Sequence, residues 1–189
     1  MIGVISLNYG QLENAFRRIF SAVTRMNDIQ VAAIFDRLPN NNRQTVLEEV
    51  MAQTTLPEKL KERVDHFTLG FKTCADNRHA VMHSHSGGVF TSQSRNTRGI
   101  LLSKYTKSGK KVVCPASLPE LREVADDIHD YAIWGFRVAG EITSFAEALA
   151  ADDEASFWRV PLKRKPRPPT ALRWHSESEV LVPPSPPRS

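Results

Sequence analysis

Cysteine is scarce in this chain, with only Cys74 and Cys114 among 189 residues. Two cysteines cannot build a disulfide framework or a cysteine-rich metal site, so a reducing, cytoplasmic setting is the expectation. Long apolar runs are missing too. No stretch approaches the roughly 18 residues of a membrane span. The first residues lack a basic region followed by an apolar stretch and a small-residue cleavage site. We therefore expect neither membrane association nor secretion. There is no internal repeat. What remains is ordinary for a globular protein with a real core: 41% hydrophobic and 24% charged. The length fits one domain plus a tail. A net charge of +4 and a pI near 9.2 point weakly to an acidic partner.

What is present is helical periodicity. Ile5, Tyr9, Leu12, Phe16, Ile19 and Val23 alternate at spacings of four and three, which predicts a helix over 3–25. Gly10 interrupts it at a cost of about 1 kcal/mol against Ala, and close packing there would explain its use. Shorter helices are expected over 28–38 and 42–53, separated by Pro39 and three asparagines. Thr55-Leu56-Pro57-Glu58 and Ser117-Leu118-Pro119-Glu120 both read as capping boxes. They launch long helices over about 56–84 and 118–150. The second carries the cleanest stripe, Leu121, Val124, Ile128, Tyr131, Gly135, Val138, Ile142, Phe145 and Leu149, and Gly135 would admit a close neighbour. Between them, 87–116 reads as a small β-hairpin insert. The expected fold is all-α: an up-and-down bundle of four to five helices over 1–150, with that insert.

Beyond 151 the composition changes. Eight of the 12 prolines fall at or after Pro161, and Pro161 to Pro169 is basic as well as Pro-rich. A disordered tail over 151–189 is expected. Lys163, Arg164, Lys165 and Arg167 are candidates for contacting RNA phosphates, and Trp158 and Trp174 for stacking on bases. The competing reading is a solvated linker or a docking peptide. Glu123, Asp126, Asp127 and Asp130 read as a solvated acidic face.

The least core-like feature lies near the end of the first long helix. Leu60, Val64, Phe67, Phe71, Cys74 and Val81 form its stripe, and the position that completes it holds Arg78. A cation in register with a core is costly unless it is paired or reaches a groove. Five residues on is His83, with Asn77, His79 and His85 close by. Arg can brace a phosphate with its planar fork, and His can take a proton near neutral pH. Positions five apart lie about 140° around an ideal helix, so one helix does not easily aim both at one atom. The inert alternative pairs Arg78 with Glu13 inside the bundle and leaves His83 as a helix end.

The Arg78-x4-His83 spacing, on a long helix followed by an insert and a last long helix, resembles the HEPN superfamily over roughly 1–150. Its members carry Arg, four to six residues, then His, often with a polar residue after the Arg; here that residue is His79. Many members place Tyr two residues after the His, where this chain has His85. The resemblance implies a metal-independent endoribonuclease of toxin or defence type. Arg78 and His83 would be catalytic, and Asn77, His79 and His85 supporting. It also implies a homodimer with two motifs lining one cleft, RNA as substrate, and control by an antitoxin or other regulatory protein. The stripes of the first helix or around Gly135 would continue into the dimer interface. The alternative is a non-catalytic interaction module that binds protein or nucleotide. A zinc reading of His79, His83 and His85 lacks the glutamate that zinc-protease helices place beside the first histidine. No metal and no cofactor are expected.

Overall fold

The computed structural model describes residues 1–35, 37–92 and 97–180. Helix α1, Ile2–Thr24, buries all six stripe positions from Ile5 to Val23 and stops at Arg25, which adopts the left-handed conformation. Helix α2, Asp28–Phe35, starts with reciprocal bonds between Asn27 and Gln30, both 3.0 Å. Helix α3, Asn40–Gln53, follows Pro39. Helix α4, Glu58–His83, begins at Pro57 without a side-chain cap. The expected box at Thr55 therefore does not form: the helix starts two residues too late for that hydroxyl to meet its first-turn amides. The box at Ser117 does form, with Glu120 N donating to Ser117 Oγ at 3.3 Å and Ser117 N to the Glu120 carboxylate at 2.8 Å. It opens helix α5, Leu118–Ala150.

Helices α1 and α5 run side by side in the same direction. Asn8 Nδ2 donates to Ala125 O at 2.9 Å, and Ala15 lies beside Gly135. Helix α4 packs against both. A methyl group at Gly70 would stand 1.8 Å from the Tyr131 ring, and one at Gly135 would stand 2.4 Å from the Phe67 ring. These two glycines set how closely α4 and α5 approach. A methyl group at Gly10, by contrast, would meet nothing within 4 Å among the described residues, so close packing is not the reason for it. Phe16 is the hub of the core, 4.7 Å from Phe71 and 5.3 Å from Phe35 between ring centroids.

The all-α expectation is wrong. Strands β1 (His85–Ser92), β2 (Thr97–Tyr105), β3 (Lys111–Ser117) and β4 (His175–Ser176) form a four-stranded antiparallel sheet in that order. The protein is a mixed α/β fold with a large helical part. The sheet shares the helical core, to which Leu102, Cys114 and Ala116 belong. The expected hairpin corresponds to β2 and β3, turned at Gly109 with φ of 76°. The extended Val89-Phe90-Thr91 of the insert lies in β1, which a Ser/Gly-rich start lengthens at one edge, and the tail adds β4 at the other.

The tail correction is equally clear up to residue 180; 181–189 lie outside the described residues. Helix α6, Glu154–Arg159, sets Phe157 and Trp158 against Phe145. The chain then runs extended along α4 and α5 before β4 pairs with Val112 and Val113, and helix α7, Glu177–Val180, ends the described chain. Prolines deny this segment regular secondary structure, but they do not prevent it from packing. No helix among the described residues is long and apolar enough to cross a membrane.

Candidate functional site

Arg78 and His83 meet. Arg78 Nη1 lies 3.2 Å from His83 Nε2 within one helix. The 140° offset is overcome by the length of the arginine and by the helix end, since His83 is the last residue of α4 and Ser84 already has extended geometry. A guanidinium only donates, so His83 Nε2 accepts and its ring proton sits on Nδ1. The arginine is half-buried, with its guanidinium 5.3 Å from the centre of the Tyr9 ring. Its Nε is buried and has no hydrogen-bond partner among the described residues. A cation held over an aromatic face with one donor unsatisfied is a group positioned at some cost.

Glu13, the partner expected in the inert bundle, pairs with Arg43 at 3.0 Å instead. Tyr9 was legible only as a stripe residue, and nothing in its spacing marks it as a platform. Its hydroxyl titrates well above the usual range, chiefly through burial and then through Glu13, while Arg78 pulls the other way.

His79 stacks obliquely on His83, with ring centroids 4.7 Å apart, and both are exposed. His85 opens β1, and its carbonyl accepts from Ser103 Oγ at 3.3 Å. Among the described residues no three His, Cys, Asp or Glu side chains gather as metal ligands. Asn77 is buried, and its carboxamide is fully occupied by the tail: Nδ2 donates to Thr170 O at 2.7 Å and Oδ1 accepts from Leu172 N at 2.8 Å. It belongs to a different constellation from the Arg78–His83 pair.

That constellation also claims several of the RNA-contact candidates. Lys165 faces Glu62 at 3.5 Å, and Arg167 bridges Glu123 at 2.8 Å and Asp127 at 3.3 Å. The Lys163 carbonyl accepts from Arg63 Nη1 at 2.8 Å, leaving its ammonium exposed, and Arg164 is exposed as well. Trp158 and Trp174 are half-buried in packing, Trp174 under the Lys104 ammonium at 4.0 Å. Asp127 is buried rather than solvated. Burial pushes its carboxyl above the usual carboxylate range, against the pull of Thr170 N and Arg167.

Both cysteines are buried and free. Burial pushes the Cys74 thiol up to about 12 and that of Cys114 up to about 11, so neither offers a thiolate near neutral pH. A cavity of about 320 Å³ lies between Pro115, Glu120 and Leu172. A groove of about 780 Å³ runs between α1 and α5 past Arg18, Phe136 and Gly140. Neither touches Arg78 or His83.

In comparisons with known proteins, no family model matches the chain, and neither a curated protein nor a solved structure is significantly similar to it.

Proposed function

We propose that this chain is a HEPN-like, metal-independent endoribonuclease whose catalytic pair is Arg78 and His83. The observation that carries the reading is the 3.2 Å contact between Arg78 Nη1 and His83 Nε2 at an exposed helix end. When a phosphate arrives, the guanidinium turns its donors from the imidazole to the non-bridging oxygens. This frees the His83 Nε2 lone pair to take the proton of the ribose 2′-hydroxyl. The 2′-oxygen attacks phosphorus, the 5′-oxygen leaves, and His79, stacked beside His83, is placed to return a proton to it. The products are a 2′,3′-cyclic phosphate and a 5′-hydroxyl end. Two protomers would line one cleft, in the cytoplasm, with an antitoxin or similar regulatory protein as the controlling partner.

The test is purified protein with mixed single-stranded RNA in EDTA. Cleavage should proceed in the chelator, give the cyclic phosphate and spare DNA. His83→Ala should lose at least ~100-fold, the lower end for acid–base catalysis. Activity that survives in His83→Ala, or that needs added metal, rejects the mechanism.

A second reading is a non-catalytic interaction module. It is favoured by the apolar side chains left on the outer face of α1 and α5: Leu7 is 68% exposed and Phe136 40%. Intact RNA under all conditions would move the balance to that reading.

A further inference from the structure

The groove between α4 and α5 holds polar side chains that are almost fully buried, and most of what they bind is backbone of the tail. Arg63 is 4% exposed, Asn77 2% and Asp127 4%. Arg63 makes a two-pronged pair with Glu141, at 2.5 and 2.7 Å, and spends its remaining arm on Lys163 O. His66 Nε2 lies 3.0 Å from Pro166 O; a carbonyl only accepts, so Nε2 carries the proton. Asn77 brackets residues 170–172 with one donor and one acceptor. Asp127 accepts from Thr170 N at 3.1 Å.

The spacing of these anchors defines the conformation they accept. Arg63, His66 and Asn77 hold Lys163, Pro166 and Thr170 in turn. From residue 63 to 77 a helix rises roughly 21 Å, and from 163 to 170 a polyproline II chain covers roughly 22 Å. Between its end anchors an extended chain therefore spans the same rise as the helix. Such a chain has no internal hydrogen bonds, so its carbonyls are free for side-chain donors. Pro166, Pro168 and Pro169 bring no N–H that would need a partner. The carboxylates of Glu62, Glu123 and Asp127 select for positive charge, which Lys165 and Arg167 supply. The tail adds little to the main core: only Leu172 and Trp174 of this segment pack against it, and both are half-buried.

We propose that the α4/α5 groove is a binding site for an extended, basic, proline-rich polypeptide. It is occupied in the free chain by its own residues 163–172 and opens by displacement to the same kind of segment from a partner protein. Recognition rests on backbone bonds and on three carboxylates facing two cations, so a partner segment of different sequence but equal conformation and charge fits. The Arg78–His83 pair takes no part, and the proposal stands without the nuclease reading.

The experiment is titration of the full chain with a fluorescent peptide spanning residues 161–174. The tethered copy competes at an effective concentration on the order of millimolar, so wild type should bind the peptide weakly. Arg167→Ser with Leu172→Ser weakens the tethered copy and leaves the groove intact; this variant should bind the native peptide at least tenfold more tightly. Adding Asn77→Ala to it should abolish binding. No saturable binding to the strap-weakened variant, or equal binding after Asn77→Ala, overturns the proposal. Should the strap-weakened variant fail to fold, hydrogen exchange on wild type decides. The Thr170 and Leu172 amides should exchange at least tenfold faster than the slowest α5 amides, reporting a strap that opens alone. Exchange of all of them together, by global unfolding, makes the segment a fixed part of the fold and rejects displacement.

Discussion

Arg78 occupies a position that the helix period assigns to a core residue, and what it gains there decides what its loss should do. Among the described residues it has no carboxylate partner to strand, and its buried Nε has no bond. Its packing gain is the Tyr9 ring, a contact of about 0.5–2 kcal/mol. Arg78→Leu exchanges that contact for apolar burial at a stripe position, so stability should stay within about 1 kcal/mol of wild type or rise, while RNA cleavage is lost. A denaturant titration beside the nuclease assay checks both arms; a loss of about 3–5 kcal/mol would indicate a buried ion pair instead. His66 gives a second, independent prediction. Burial lowers its pKa below the usual 6.5, and nearby Lys165 and Arg63 push the same way, against the Pro166 bond. The unfolded chain thus binds a proton more readily than the folded one. Its contribution to stability is fully present above about pH 6.5 and is lost as pH falls through the depressed folded value. His66→Gln keeps an N–H for Pro166 O and does not titrate. Melting curves from pH 7.5 to 5 should show wild type falling relative to the variant on the acid side; parallel profiles would reject this.

Helices were the legible elements because burial writes their period into the sequence. The apolar positions of the α1, α4 and α5 stripes are core except Leu149, which lies exposed in the last turn of α5, and the Ser117 box closes as its residues suggest. The tail was not legible, because composition reports only that it cannot build a core of its own. Whether it packs is decided by Arg63, Asn77 and Asp127, which lie on other elements and look like surface or stripe-edge residues in sequence. Strand β1 was legible only at Val89-Phe90-Thr91; its Ser/Gly-rich start, His85 to Gly88, carries no alternation of apolar and polar residues. Of the candidate site, the Arg-x4-His motif singled out Arg78 and His83, but the 140° offset argued against their meeting on one helix, and nothing marked the Tyr9 platform, which comes from a helix more than 60 residues away in sequence. Packing between elements also supplies a prediction. Gly70→Ala gains up to about 1 kcal/mol in helix propensity. It also drives a methyl into the Tyr131 ring, whose hydroxyl lies 3.0 Å from His66 Nε2. Overpacking costs about 1–3 kcal/mol. A net loss of stability is expected in urea unfolding, and an unchanged midpoint would mean that α4 and α5 can separate freely.

At the scale of the whole molecule, the question is where a second copy would dock. The stripe from Ile5 to Val23 and the seam around Gly135 were the expected interface, and both are spent inside the protomer, facing α4 and each other. What α1 and α5 leave outside is a two-helix face with Val4, Leu7, Ile133 and Phe136 exposed. Arg18, paired with Asp28 at 3.1 Å, and Arg25 border the groove at the C-terminal end of α1. Because α1 and α5 run in the same direction, a two-fold axis across this face lays each pair antiparallel on its copy. The exposed apolar residues of the two copies then meet across it. Wild type should therefore sediment as a dimer at tens of micromolar, a modest demand of about 6–7 kcal/mol. Leu7→Glu with Phe136→Glu should sediment as a monomer with its helical signal retained, since both residues are exposed in the protomer. If the wild type is already monomeric, the shared cleft is ruled out, and any cleavage must come from one Arg78–His83 pair acting alone. The Arg78–His83 pair lies on α4, away from this face, so a monomeric double variant that loses cleavage would tie the reaction to assembly rather than to residues of the second protomer.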